Sequence, residues 1–160
     1  GVRVYYGLPE RHKSESLRRY RIKQELARGA ALAGYAPVVN RPPSKPDIEL
    51  DGVAVELESE RDPKEVVETL RELSSKYSLV YLVVEEPRRV SYYELALLEE
   101  PFADRVCITS LDKFEEALRE PRPLGKRLPK PGVEKARPKS KKRRRKKATS
   151  RSKKRKKKNP

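Results

Sequence analysis

The residues of this chain with the clearest capacity for chemistry sit in one stretch, Lys45 to Glu60, with the sequence KPDIELDGVAVELESE. Asp51-Gly52 supplies the two positive-φ positions of a type I′ turn, so the stretch reads as a hairpin of two short strands. A two-residue turn fixes the register: Leu50 faces Val53, Glu49 faces Ala54, Ile48 faces Val55, Asp47 faces Glu56 and Lys45 faces Glu58. Side chains alternate, which puts Ile48, Leu50, Val53, Val55 and Leu57 on one face and Asp47, Glu49, Glu56 and Glu58 on the other. Like charges opposite each other destabilise a sheet by up to about 1 kcal/mol. Converging carboxylates instead invite a hard divalent cation, Mg²⁺ or Mn²⁺, held by one or two of them together with waters and phosphate oxygens. Asp47 and Glu56, with Glu58 beside them, are the candidate residues. The competing reading is a solvated acidic strand face, with Lys45 paired to Glu58 across the ladder.

The flanking sequence must position this hairpin. Residues 2–7, VRVYYG, read as a short strand or an ordered arm. From Ser14 to about Gly34 the spacing of Ile22, Leu26, Gly29 and Ala33 predicts a helix with one buried stripe, and Gly34 ends it. Glu25 lies beside that stripe, near Arg18, Arg21 and Arg28. It is either the i, i+4 partner of Arg21 or an additional carboxylate near the metal. YAPVVN, residues 35–40, reads as a strand, and RPPSKP resists helix and leads into the hairpin.

Beyond the hairpin, Asp62-Pro63-Lys64-Glu65 is a helix start with a cap, a proline and an N3 glutamate, and Val66, Val67, Leu70 and Leu73 form its inner stripe. Residues 79–85, LVYLVVE, are almost continuously apolar and predict a central strand buried on both faces. Ser91-Tyr92-Tyr93-Glu94 reads as a capping box opening a helix to about Glu100. Residues 105–109, RVCIT, predict a further buried strand, and Ser110 to Arg119 a last helix with Leu111, Phe114 and Leu118 facing in. This order predicts an α/β fold, a mixed central sheet flanked by helices.

Charge divides the chain sharply. Residues 1–120 carry 19 Lys and Arg against 23 Asp and Glu, whereas residues 121–160 carry 21 against 1. The expected organisation is an α/β domain over 1–120, a Pro-rich linker over 121–138 and a polybasic tail over 139–160. Such a tail lacks the apolar surface to offset its ordering entropy and is expected to be disordered when free. Its Lys141, Lys142, Arg143, Arg144, Arg145, Lys146, Lys147, Lys153, Lys154, Arg155, Lys156, Lys157 and Lys158, joined by Arg41 and Lys45 of the domain, are the expected nucleic-acid contacts.

Other classes are excluded. With one cysteine, Cys107, and one histidine, His12, the chain has neither an internal disulfide nor a Cys- or His-based metal cluster. Cys107 reads as a buried, inert thiol. There is no apolar run of membrane-spanning length and no signal peptide, so no membrane partner and an intracellular location, cytoplasmic or nucleoid-associated, are expected. Charged residues make up 40% of the chain, and Met and Trp are absent, a bias resembling hyperthermophile usage.

Helix, three strands with Pro-Asp on the second and Glu-x-(Lys/Glu) on the third, then helix and strand: over residues 14–85 the chain resembles the PD-(D/E)XK nuclease superfamily. The resemblance rests on Pro46-Asp47, on Val55-Glu56-Leu57-Glu58, and on Glu25 in the preceding helix, where some members, including archaeal Holliday-junction resolvases, place an acidic residue. It implies a restriction-endonuclease-like αβββαβ core and a divalent metal held by Asp47 and Glu56, with Glu25 as an added ligand. Glu58 would activate or orient the attacking water. Glu58 stands where the family usually has lysine, as it does in some active restriction enzymes; lysine offers positive charge to the phosphorus and glutamate does not.

The implied function is a metal-dependent DNA endonuclease tethered to nucleic acid by its tail. A homodimer is implied too, because one active site cuts one strand. Tyr92, Tyr93, Leu95 and Leu98 fit such an interface and fit core packing equally well. Two other functions stay open: a catalytically inactive nuclease-like fold acting as a structural or accessory nucleic-acid-binding protein, and an assembly module whose tail meets an acidic partner.

Overall fold

The Asp51-Gly52 turn forms as the sequence demands, with φ of 43° and 83° at its two positions, in a computed structural model that describes residues 10–59 and 61–127. The turn joins β2 (Ile48–Leu50) to β3 (Val53–Glu58), and the pairs Leu50–Val53, Glu49–Ala54 and Ile48–Val55 are those expected. The expectations for residues 2–7, for Glu60 and for the polybasic segment lie outside the described residues.

The described residues belong to a compact unit spanning Gly1–Lys130. Helix α1 (Leu17–Leu32) begins at Ser16, whose side chain accepts from the Arg19 N–H, and ends before Gly34, whose φ of 95° suits glycine. Strand β1 (Pro37–Val39) pairs antiparallel with β2. Asp62 caps α2 (Pro63–Lys76) by accepting from the Lys64 N–H at 2.8 Å, with Pro63 in the first turn. Next come β4 (Leu79–Val84), α3 (Val90–Leu97), β5 (Val106–Ser110), α4 (Phe114–Arg119) and α5 (Leu124–Arg127). The five strands form one mixed sheet in the order β1-β2-β3-β4-β5, with β3, β4 and β5 mutually parallel.

Helices cover both faces. Leu26, Ala27 and Ala30 of α1 and Phe114 and Leu118 of α4 pack on Ile48, Leu50, Val55, Leu57, Tyr81 and Val83. On the opposite face, Val66, Leu70 and Leu73 of α2, Tyr93 and Leu97 of α3 and Leu124 of α5 pack on Ala54, Val80, Leu82, Val84, Val106 and Ile108. Fully burying one such aliphatic side chain contributes roughly 1.5–3 kcal/mol. Cys107 is buried in β5, as expected.

Two expectations change. Ser91 does not cap α3: a 3-10 turn at Pro87–Arg89 precedes the helix, and Pro87, with its φ already fixed, starts the helical path earlier. Ser91 therefore falls inside the first turn. The predicted linker also gives up its first residues, because Leu124 is only 2% exposed in the core beneath α2 and α3, so the folded unit runs past Pro121. Among the described residues no helix is long and apolar enough to cross a membrane.

Candidate functional site

Asp47 lies one residue before β2 and continues its register. Its backbone N–H points at Glu56 Oε2 at 3.3 Å, and its own Oδ2 accepts from the Leu57 N–H at 2.8 Å. The hairpin thus locks the two carboxylates together at the end of the sheet. Asp47 is 4% exposed and Glu56 and Glu58 are 0% exposed, so the acidic face is not a solvated one. Glu49 stays apart, accepting from Asn40 Nδ2 at 2.9 Å.

Sealing carboxylates from water costs several kcal/mol each unless partners offset it. Here every one has a partner. Arg19 Nη2 donates to Asp47 Oδ2 at 2.7 Å, and the buried Lys23 ammonium lies 3.7 Å from Asp47 Oδ1 and 2.8 Å from Glu15 Oε1. Glu56 Oε1 accepts from Lys45 Nζ and, at 2.9 Å, from Arg61 Nη2. Glu58 accepts from the Arg61 backbone N–H at 2.6 Å and from Arg61 Nε at 2.7 Å. Lys45 therefore pairs with Glu56 rather than Glu58. Arg89 fixes the loop after β3 by donating to the Ser59 carbonyl at 2.6 Å, and Tyr93 donates to the Arg61 carbonyl at 3.2 Å.

The electrostatics leave one carboxylate under-compensated. Glu56 has its pKa raised, first by burial and then by the Asp47 charge; Lys45 and Arg61 pull it back only in part. Arg61 moves up as well: burial lowers its pKa, but Glu58 and Glu56 more than reverse that. Burial, followed by the nearby Glu58 charge, pushes the Tyr93 phenol up to about 12, so it remains a neutral donor.

A cleft of about 400 Å³ opens onto this network, walled by Glu15, Arg19, Pro42, Pro43, Lys45, Asp47 and Arg61. A larger cleft of about 640 Å³ lies between the Pro87 turn, the end of β5 and α4. The charges lining that one, Asp112, Lys113, Glu116, Glu120 and Arg122, are exposed side chains of both signs, so the smaller cleft is the chemically organised one.

Asp47, Glu56, Glu58 and Lys45 lie in one network of ion pairs, with Lys45 on Glu56 and Arg61 joining Glu56 to Glu58; Glu25 does not join them. Glu25 is exposed on α1, about 200° around the helix from Lys23, and the inward face sends Arg19 and Lys23 to the carboxylates instead. The acidic side chain that does arrive is Glu15, just ahead of the helix. Arg41 is exposed in the loop between β1 and β2, outside the cleft lining. Lys23 was legible: it falls among Leu26, Ala27 and Ala30 on the inward stripe, an expensive place for an ammonium without partners. Arg61 carries no comparable signal.

Among the described residues, no three acidic, His or Cys side chains gather closely enough to hold a metal ion. The remaining donor set does fit a Mg²⁺-type ion, which takes one or two carboxylates and keeps the rest of its shell as water and phosphate oxygens. Asp47 Oδ2 and the Leu57 carbonyl converge on one cationic nitrogen, Arg19 Nη2, at 2.7 and 3.0 Å. The side chains of Arg19, Lys45 and Arg61, which hold these oxygens, are 24%, 38% and 29% exposed at the mouth of the cleft. No family model, curated protein or solved structure matches the chain.

Proposed function

We propose that the protein is a metal-dependent DNA endonuclease built on a restriction-endonuclease-like core. The single observation that carries this reading is the buried, register-locked pair of Asp47 and Glu56: Asp47 lines a cleft ringed by Arg19, Lys45 and Arg61, and Glu56 lies directly behind it, bonded to the Asp47 N–H and to Lys45 and Arg61. The order α1-β1-β2-β3-α2-β4 supports it, since it is the αβββαβ order that the resemblance implies.

Asp47 and Glu56 would hold the divalent ion, which supplies a polarised phosphate and a bound water of lowered pKa. Arg19, Lys45 and Arg61 place positive charge where a phosphodiester would lie, and so stabilise the charge that grows on its oxygens. Both oxygens of Glu58 are engaged by Arg61, so Glu58 is a positioning residue in this arrangement: it aims the Arg61 guanidinium at Glu56. Lys45, at the cleft mouth, supplies the positive charge that the Glu58 position lacks. The polybasic residues 139–160 supply affinity for DNA, independent of sequence and steeply dependent on salt. One active site cuts one strand, so duplex scission calls for two copies.

A second reading, an inactive nuclease-like fold serving as an accessory nucleic-acid-binding protein, is favoured by a different observation. Among the described residues, Glu15, Asp47, Glu56 and Glu58 are matched by Arg19, Lys23, Lys45 and Arg61, a network neutral without any added ion. The two readings separate when the full chain is incubated with branched, single-stranded and duplex DNA in Mg²⁺, Mn²⁺ or EDTA. Metal-dependent cleavage lost in Asp47→Ala and Glu56→Ala supports the enzyme. Binding that ignores metal, without cleavage, supports the accessory role.

A further inference from the structure

The outward face of α3 and the residue after it leave large apolar side chains in solvent: Tyr92 is 51% exposed, Leu95 71% and Leu98 42%, although one edge of the Tyr92 ring rests on Tyr93, with ring centroids 5.7 Å apart. The inward Tyr93 and Leu97 already fill the core. Exposed Arg88 and Glu99 bracket this face at its two ends. Arg88, Tyr92, Leu95 and Glu99 follow one another at spacings of four, three and four residues, which places them on a single helical stripe. The helical path covers them nearly end to end, from the 3-10 turn at Pro87–Arg89 through α3 to the helical Leu98.

That spacing reads the same in both directions. If a second copy of α3 is laid antiparallel across the first, the one register that sets Tyr92 against the partner's Leu95 also sets Arg88 against the partner's Glu99. Each contact then occurs twice, as a two-fold axis requires. Basic meets acidic at both ends, and the apolar pair closes in the middle. A parallel or shifted packing would bring Arg88 against Arg88 or leave both charges over apolar side chains.

We infer that this stripe is a self-complementary docking surface whose occupant is a second copy of the same chain, in an antiparallel α3 pair about a two-fold axis. The inference stands on the stripe alone and does not depend on the nuclease reading. One short helix face falls below the roughly 1,200 Å² of a stable interface, so the dimer is weak and concentration-dependent.

Sedimentation velocity on the full chain without DNA, over a concentration series, tests it. The wild type is expected to pass from monomer to dimer, and Leu95→Asp to stay monomeric with an unchanged circular dichroism spectrum. Arg88→Glu and Glu99→Arg each weaken association by about tenfold, because every dimer loses two exposed pairs and gains two repulsions. The double variant Arg88→Glu/Glu99→Arg recovers the wild-type constant. Recovery reads contact between copies, since residues 88 and 99 lie about three helical turns apart within one chain. A monomer at every concentration, which includes the case in which another segment of the chain or a different protein covers the stripe, overturns the inference. So does a dimer indifferent to Leu95→Asp, or a double variant no better than the singles.

Discussion

Strands β3 and β4 lie side by side and parallel, with Glu56 opposite Leu82 and Glu58 opposite Val84, and all four side chains are sealed from water. Neighbouring positions in the same sheet thus carry opposite chemistry. In β4 the aliphatic side chains join the core beneath α2 and α3, each contributing roughly 1.5–3 kcal/mol. In β3 the carboxylates carry a desolvation cost of several kcal/mol each, which Lys45 and Arg61 are recruited to offset. Stability alone would fill β3 as it fills β4. The contrast marks the end of the hairpin as a place where the fold gives up stability for a concentrated charge.

The sharpest break of that contrast is functional. Asp47→Asn or Glu56→Gln is expected to lower metal-dependent cleavage by at least about 10²-fold, as loss of a preorganised electrostatic group does elsewhere, without unfolding the domain. Cleavage assays with matched circular dichroism spectra check it. Arg61→Ala comes next: it strips the shared partner from two buried carboxylates and should cost roughly 3 kcal/mol in urea unfolding. Adding Glu56→Gln should return part of that loss. Leu82→Ala, the equivalent lesion on the aliphatic strand, should cost about 3 kcal/mol by leaving a cavity, while the activity of the folded fraction at saturating DNA stays unchanged.

A smaller effect has the opposite sign. Burial raises the Glu56 pKa, so the folded state takes up its proton more readily than the unfolded chain does. The contribution of Glu56 to stability is therefore fully present below the ordinary carboxylate range and is lost as pH rises through the raised value. Glu56→Gln imitates the protonated form permanently. It should be more stable than wild type by about 1 kcal/mol at neutral pH, with the difference shrinking as the solution is acidified. Equal stability at all pH values would show that Lys45 and Arg61 compensate Glu56 fully.

Much of this was legible in the sequence, for physical reasons. Asp-Gly admits few turns, and the turn fixed the register that places Asp47 on Glu56. The apolar runs of β4 and β5 and the Asp62-Pro63 helix start are equally local signals. What escaped depends on longer range. Glu25 shares a helix with the residues that reach the site, yet helical phase turns it to solvent, and Glu15 arrives from the loop ahead of α1. Ser91 had the composition of a cap, but Pro87 starts the helical path upstream. Arg61 lies beyond the end of β3 with no motif around it, and only the folded loop brings its guanidinium back onto Glu56 and Glu58.

The central claim is that Asp47 and Glu56 form a seat for a divalent cation despite their side-chain partners. Titration of the full chain with Mn²⁺, followed by electron paramagnetic resonance of the free ion, tests it most directly. One saturable site in the wild type, abolished in Glu56→Gln and in Asp47→Asn while Glu25→Gln keeps it, is the predicted result. No saturable site in the wild type, or a site untouched by Glu56→Gln, would contradict the account.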